Sequence, residues 1–78
     1  MTEKYLFSIE VDSYEPNKQC SILNSHGGEP RHHFPTSRGK GVLVTMISFE
    51  DINNLEREYE WIDDVHRGYY EVKNEFEG

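Results

Sequence analysis

Cysteine is nearly absent from this chain of 78 residues, because Cys20 is the only one. A single cysteine excludes an internal disulfide, the feature that stabilises many secreted domains of this size. Residues 1–20 also lack the basic start and the continuous apolar stretch of a secretory signal peptide. We therefore expect a cytoplasmic protein.

Long hydrophobic runs are missing as well. The longest apolar-rich stretch covers residues 42–47, far short of the ~20 residues that a membrane-spanning helix needs. This predicts a protein that does not bind membranes. Five Tyr, four Phe and one Trp nevertheless supply enough apolar area for a core, so we expect a single folded domain over residues 1–78.

Positive charge is scarce, since 8 Lys and Arg residues stand against 15 Asp and Glu residues. Phosphates and anionic lipids attract basic surfaces, so direct nucleic-acid binding is not expected of this chain. The imbalance is also local. Residues 50–78 hold ten acids and three bases, whereas residues 1–49 hold five of each.

Apolar and polar side chains alternate over residues 5–12, which predicts a strand with one solvated face. A turn at residues 14–17 precedes a weaker predicted strand over 18–23. Residues 24–41 are rich in Gly, Pro and His and predict a long loop. Residues 42–47 are apolar on both faces and indicate a central strand.

A helix is predicted over residues 48–67, with Ser48 as its N-cap and Gly68 as its stop. A last strand is predicted over residues 70–76. The expected fold is therefore α+β: a small four-stranded sheet (β-β-loop-β-α-β) with one amphipathic helix packed on one face. The helix between the last two strands permits a parallel crossover, and an antiparallel arrangement stays open.

Two apolar residues, Trp61 and Val65, are predicted on the outer face of this helix. They share that sector with acidic residues that include Glu50, Glu58 and Asp64. Because Trp is enriched at binding hot spots, these five residues predict a partner-binding surface with an apolar anchor in an acidic rim. The alternative is that the helix ends or bends before Trp61, whose ring then packs inside the same chain.

Seven carboxylates occur along the predicted helix, and a row of carboxylates can replace phosphates in a basic groove. The leading hypothesis is a non-enzymatic inhibitor or adaptor, phage- or mobile-element-like, that presents this helix to a basic protein surface. A DNA- or RNA-processing enzyme is the natural partner. The alternatives are an immunity protein that neutralises a basic toxin, or an acidic face that serves solubility alone.

The predicted loop suggests a second function. Arg31, Arg38 and Lys40 supply positive charge, and glycines let backbone N–H groups face an anion. A small-ligand module would bind a phosphate-bearing molecule through residues 26–41, although no Walker motif is present. The same loop could instead dock on the acidic helix of a second copy and form a homodimer.

No cofactor, metal or catalytic site is predicted. Cys20, His26, His32 and His33 are the candidate zinc ligands, but their spacing matches no standard zinc pattern. Cys20 is interpreted as a small buried hydrophobe rather than a nucleophile. His66 falls on the core-facing arc of the predicted helix. We therefore expect a binding protein and not an enzyme.

Overall fold

The computed structural model describes residues 3–69, which form four strands and two helices. Their order is β1 (Tyr5–Val11), α1 (Pro16–Ser25), β2 (Glu29–Pro35), β3 (Gly41–Ile47), α2 (Phe49–Glu58) and β4 (Ile62–Arg67). The fold is α+β, as predicted, but it has two helices where one was expected. Neither helix in this range is long and apolar enough to cross a membrane. The strand predicted over residues 70–76 lies outside the described residues.

The four strands form one antiparallel sheet in the order β2-β3-β1-β4. Because β1 and β2 both run antiparallel to β3, they run in the same direction with β3 between them. In the same way, β3 and β4 flank β1. Each helix therefore connects two strands of like direction across an intervening strand, which is the split βαβ arrangement. α2 leads from β3 to β4, which pairs with β1, whereas the crossover considered from the sequence led to residues 70–76.

Residues 18–23 belong to α1, so the strand predicted there is wrong. Pro16 lies in the first helical turn, where the missing N–H group leaves no hydrogen bond unmade. Gln19 and Leu23 are four residues apart and are both buried, so they project from the same face of the helix. That spacing is the helical signal in this stretch.

The predicted loop over residues 24–41 contains β2, which pairs with β3 along the edge of the sheet. Only residues 36–40 remain as a tight connection between these two strands. β2 is mostly exposed and contains Pro30 and Pro35. Its backbone pairing with β3, rather than burial of apolar side chains, holds it in place, and prolines are tolerated on such an edge.

The helix α2 begins as predicted but ends nine residues early, at Glu58 instead of residue 67. Ser48 is the N-cap, and its Oγ accepts a hydrogen bond from the Asp51 N–H at 3.1 Å. Tyr59 already has extended backbone angles. The chain then turns and pairs with β1, so that Ile62 and Val65 pack on the core from a strand.

The core lies between the sheet and the two helices. Its buried members are Phe7, Ile9, Val11, Leu23, Leu43, Ile47, Ile52 and Leu55. The face of the sheet that carries these side chains is called the helix-covered face below, and the opposite one is the helix-free face. Alternation along the strands places Ser8 and Glu10 of β1 on the helix-free face, together with Val42 and Val44 of β3.

The chain after β4 turns onto the helix-free face. The Ser8 Oγ donates a hydrogen bond to the Gly68 carbonyl at 2.6 Å. The Tyr69 ring centroid then lies 6.4 Å from that of His32 and 6.3 Å from that of Phe34. Because β4 and β2 are opposite edges of the sheet, residues 68–69 cross this face. Gly68 has a φ of +91°, which favours glycine at this bend.

Candidate functional site

Exposed carboxylates continue from α2 through the following turn into β4. Their residues on α2, in the turn and at the start of β4, named the acidic surface here, are Glu50, Glu56, Glu58, Glu60 and Asp63, whereas Asp64 faces the helix-free side of the sheet. One further acid of this stretch, Asp51, accepts a hydrogen bond from the Ser48 hydroxyl at 2.9 Å. The one basic residue in it, Arg57, donates a hydrogen bond to Asn54 rather than to a carboxylate.

One member of the acidic surface has a partner just after the first helix, at its C-cap. The Glu58 carboxylate lies 3.8 Å from Nε2 of His26, whose ring packs edge-on against Tyr59. This contact is an ion pair only when His26 is protonated. Across residues 3–69 no carboxylate of the acidic surface pairs with a Lys or Arg. Within the described residues, no Lys or Arg in contact with this surface therefore compensates its negative charge.

The five residues predicted to form the partner-binding surface do not form one patch. Glu50 and Glu58 are exposed on α2. Asp64 and Val65 are neighbours on β4, and their side chains point to opposite faces of the sheet. Trp61 lies in the turn between these two elements. The acidic residues remain available to a partner, but the apolar anchor that was predicted among them is missing.

Trp61 and Val65 both pack against the core, so their predicted position on an outward helix face is wrong. The Trp61 ring lies 5.3 Å from that of Tyr59, measured between centroids. Its carbonyl accepts a hydrogen bond from the Asp12 N–H at 2.9 Å. Trp61 thus covers the core within its own chain, which is the alternative that the sequence left open.

The cations of the predicted anion-binding loop are divided between a strand and a turn. Arg31 lies on β2, where its guanidinium is 3.5 Å from Glu29. Arg38 and Lys40 lie in the turn of residues 36–40. Four residues of extended chain, about 13 Å, separate Arg31 from the end of β2. The three cations therefore do not belong to the one continuous loop that the sequence predicted.

The candidate zinc ligands are also dispersed. Cys20 is half-buried on α1, and burial raises the pKa of its thiol. Adjacent residues of β2, His32 and His33, point to opposite faces of the sheet. The His33 Nδ1 forms a hydrogen bond with the Tyr14 hydroxyl at 2.6 Å, and the His32 ring contacts Phe34.

A different set of metal-ligating side chains meets on the helix-free face, and sequence reasoning missed it. Glu10 of β1 lies directly opposite Asp64 of β4, while His66 lies opposite Ser8. One ligand atom from each of Glu10, Asp64 and His66 lies within 4.8 Å of the other two. We call these three residues the Glu10–Asp64–His66 cluster. The spacing of Asp64 and His66 is its sequence signal, because i and i+2 share a face only in a strand.

A β-bulge sets this arrangement. Val11 pairs with Ile62 and Glu10 with Asp64, so β4 carries one extra residue, Asp63, at this point. The extra residue lets Ile62 face the core while Asp64 faces the helix-free side. Bulges re-aim side chains in this way. The Asp64 Oδ1 then accepts a hydrogen bond from the Val65 N–H at 2.9 Å, which fixes the carboxylate beside His66.

No protein-family model matches this chain, and no significant similarity to a curated protein or to a solved structure is found.

Proposed function

We propose that this chain is a non-enzymatic binding protein that presents its acidic surface to a basic protein. The observation that carries the proposal is the run of exposed carboxylates from α2 to the start of β4, with no Lys or Arg paired to them among residues 3–69. Their mutual repulsion is relieved when a cationic surface binds. The binding energy is thus electrostatic in origin.

Charge of this kind mainly affects the rate at which the protein and its partner associate. Complementary surfaces steer two proteins together and raise the association rate, and this effect weakens as salt screens the charges. Since Trp61 is engaged with the core, the proposed contact rests on carboxylates without an aromatic anchor. The partner is then expected to be strongly basic, such as a DNA- or RNA-processing enzyme, with a basic toxin as the second class.

The test is a capture experiment with two variants of equal charge. Glu50→Gln, Glu58→Gln and Glu60→Gln together remove three charges from the acidic surface and leave Asp64 intact. The control replaces Glu3 and Glu15 with Gln and Asp12 with Asn, which removes three exposed charges elsewhere. The immobilised wild type and control should retain a basic protein from an extract of the source cells, and the acidic-surface variant should not.

The captured protein is then purified and its binding kinetics are measured over a range of salt concentrations. We expect the association rate of the wild type to fall about tenfold or more as salt rises. The acidic-surface variant should start near that reduced rate and respond little to salt. Equal binding by both variants, or binding that is insensitive to salt, would refute the proposal.

A further inference from the structure

We propose that Glu10, Asp64 and His66 form a binding site for one divalent first-row transition metal ion, with Zn²⁺ as the representative ion. The site lies on the helix-free face between β1 and β4. It does not depend on the partner-binding function proposed above.

One potential ligand atom from each of the three side chains converges at this point. Zn²⁺ binds imidazole nitrogen and carboxylate oxygen at about 2.0–2.2 Å, so ligand atoms around it lie about 3–3.5 Å apart. The Asp64 Oδ2 lies 3.7 Å from the His66 Nε2, and Glu10 contacts the same nitrogen. All three atoms fall within 4.8 Å of one another. A bound ion would replace the direct contact between Glu10 and His66 and draw the three ligand atoms to the spacing that a metal requires.

The electrostatics favour a cation at this point. Glu10 and Asp64 are directly opposite on neighbouring strands, an arrangement in which like charges repel and destabilise a sheet. In the described part of the chain neither carboxylate pairs with a Lys or Arg. The nearby cation of β4, Arg67, contacts an aromatic ring instead: its guanidinium lies 4.3 Å from the Tyr5 ring centroid. A divalent ion would offset the repulsion that His66 offsets only when protonated.

The donor set indicates which metals would bind. Two carboxylates and one imidazole suit Zn²⁺ and its neighbours, whereas Mg²⁺ and Ca²⁺ prefer oxygen ligands throughout. Three protein ligands leave at least one coordination position open. The side chains of Glu10 and His66 are about one third exposed, at 30% and 31%, and that of Asp64 is 64% exposed. Water or a group from a partner can therefore reach the ion.

The primary test is calorimetric titration of the full chain, freed of metal with a chelator, with Zn²⁺. We expect one ion per chain to bind saturably, and Mg²⁺ at a large excess not to displace it. Glu10→Gln, Asp64→Asn and His66→Gln should each weaken binding at least tenfold. The matched controls are Asp63→Asn, the adjacent exposed carboxylate, and His26→Gln, and both should bind as the wild type does.

Two outcomes would overturn the proposal: no saturable binding, or equal weakening by Asp63→Asn and Asp64→Asn, which would show diffuse attraction to acidic residues. A second measurement needs no variant and so avoids any loss of folding. Substoichiometric Mn²⁺ broadens the NMR signals of nearby nuclei in the wild-type chain. Broadening centred on Glu10, Asp64 and His66 supports the site, and broadening centred on α2 or on residues 71–77 refutes it.

Discussion

The ring of Tyr14 lies so close to the backbone of Gly41 that no side chain fits at residue 41. A Cβ built there is 2.9 Å from the Tyr14 Cγ and 3.0 Å from the Phe34 carbonyl oxygen. The Tyr14 N–H also donates a hydrogen bond to the Gly39 carbonyl at 2.7 Å. This contact joins the connection between β1 and α1 to the hairpin of β2 and β3.

Gly41→Ala should therefore destabilise the protein by about 1–3 kcal/mol, as overpacking of a tight site does. Urea unfolding followed by circular dichroism measures the change. In a chain that already carries Tyr14→Ala, Gly41→Ala should lower the free energy of unfolding by less, because one of the two clashing groups is then absent. Surface substitutions usually change the free energy of unfolding by less than about 0.5 kcal/mol. A loss that small in Gly41→Ala would contradict the close contact.

Gln19 is a buried polar residue that secures the start of α1. Its Oε1 accepts from the Glu15 N–H at 3.0 Å and its Nε2 donates to the Ser13 carbonyl at 2.7 Å. Gln19→Ala leaves both backbone groups without this partner, so we expect a loss of about 1–3 kcal/mol in urea unfolding. Asn17→Ala, at an exposed position of the same helix, should cost much less. Equal effects would refute this role for Gln19.

The ion pair of Lys4 and Glu29 predicts a measurable titration. A hydrogen bond and charge from Lys4, at 2.8 Å, hold the pKa of Glu29 below its usual value, and Arg31 contributes less. NMR titration of the Glu29 carboxyl should show its pKa rising in Lys4→Met and rising less in Arg31→Met. The reverse order would contradict the structure.

The lowered pKa of Glu29 determines how its ion pair changes the stability of the fold with pH. Because the pKa of Glu29 is lower in the folded chain, its ion pair stabilises the fold above the unfolded-state pKa. The contribution is lost as the pH falls through the folded-state value. Since both side chains are solvent-exposed, the difference in acid stability between the wild type and Lys4→Met should be small.

Trp61 is expected to contribute to folding. Trp61→Ala should destabilise the chain by about 1–3 kcal/mol, less than a fully buried Trp would cost because the ring is only half-buried. Trp61→Phe should retain much of the stability through its contact with Tyr59. The midpoint of urea unfolding measures both effects. An unchanged midpoint in Trp61→Ala would instead indicate a surface residue that is free to bind a partner.

The local sequence pattern predicts a strand or a helix correctly where neighbouring side chains determine it. β1 and β3 follow from their own apolar residues, and α2 begins at Ser48 because that hydroxyl caps the next turn. The end of α2 was not predictable in this way. Ile62 and His66 fit the core-facing arc of a longer helix, and their pairing with β1 is the long-range interaction that makes them part of a strand.

α1 and β2 were missed for two different physical reasons. In residues 18–23 the buried side of the helix includes a polar residue, Gln19. The apolar residues alone therefore do not show the spacing of a helix. In residues 29–35 there is almost no apolar period to find, since an edge strand is held by the backbone of its neighbour. Propensity is a weak guide in both cases because tertiary contacts override it.

Composition and alternation alone show that acidic residues concentrate in residues 50–78 and that Glu10 lies on the solvated face of its strand. They do not show which side chains meet Glu10. His66 is 56 residues away along the chain, and its position depends on the pairing of β4 with β1 and on the bulge at Asp63. The Glu10–Asp64–His66 cluster is therefore a product of long-range strand pairing, which no local window of sequence contains.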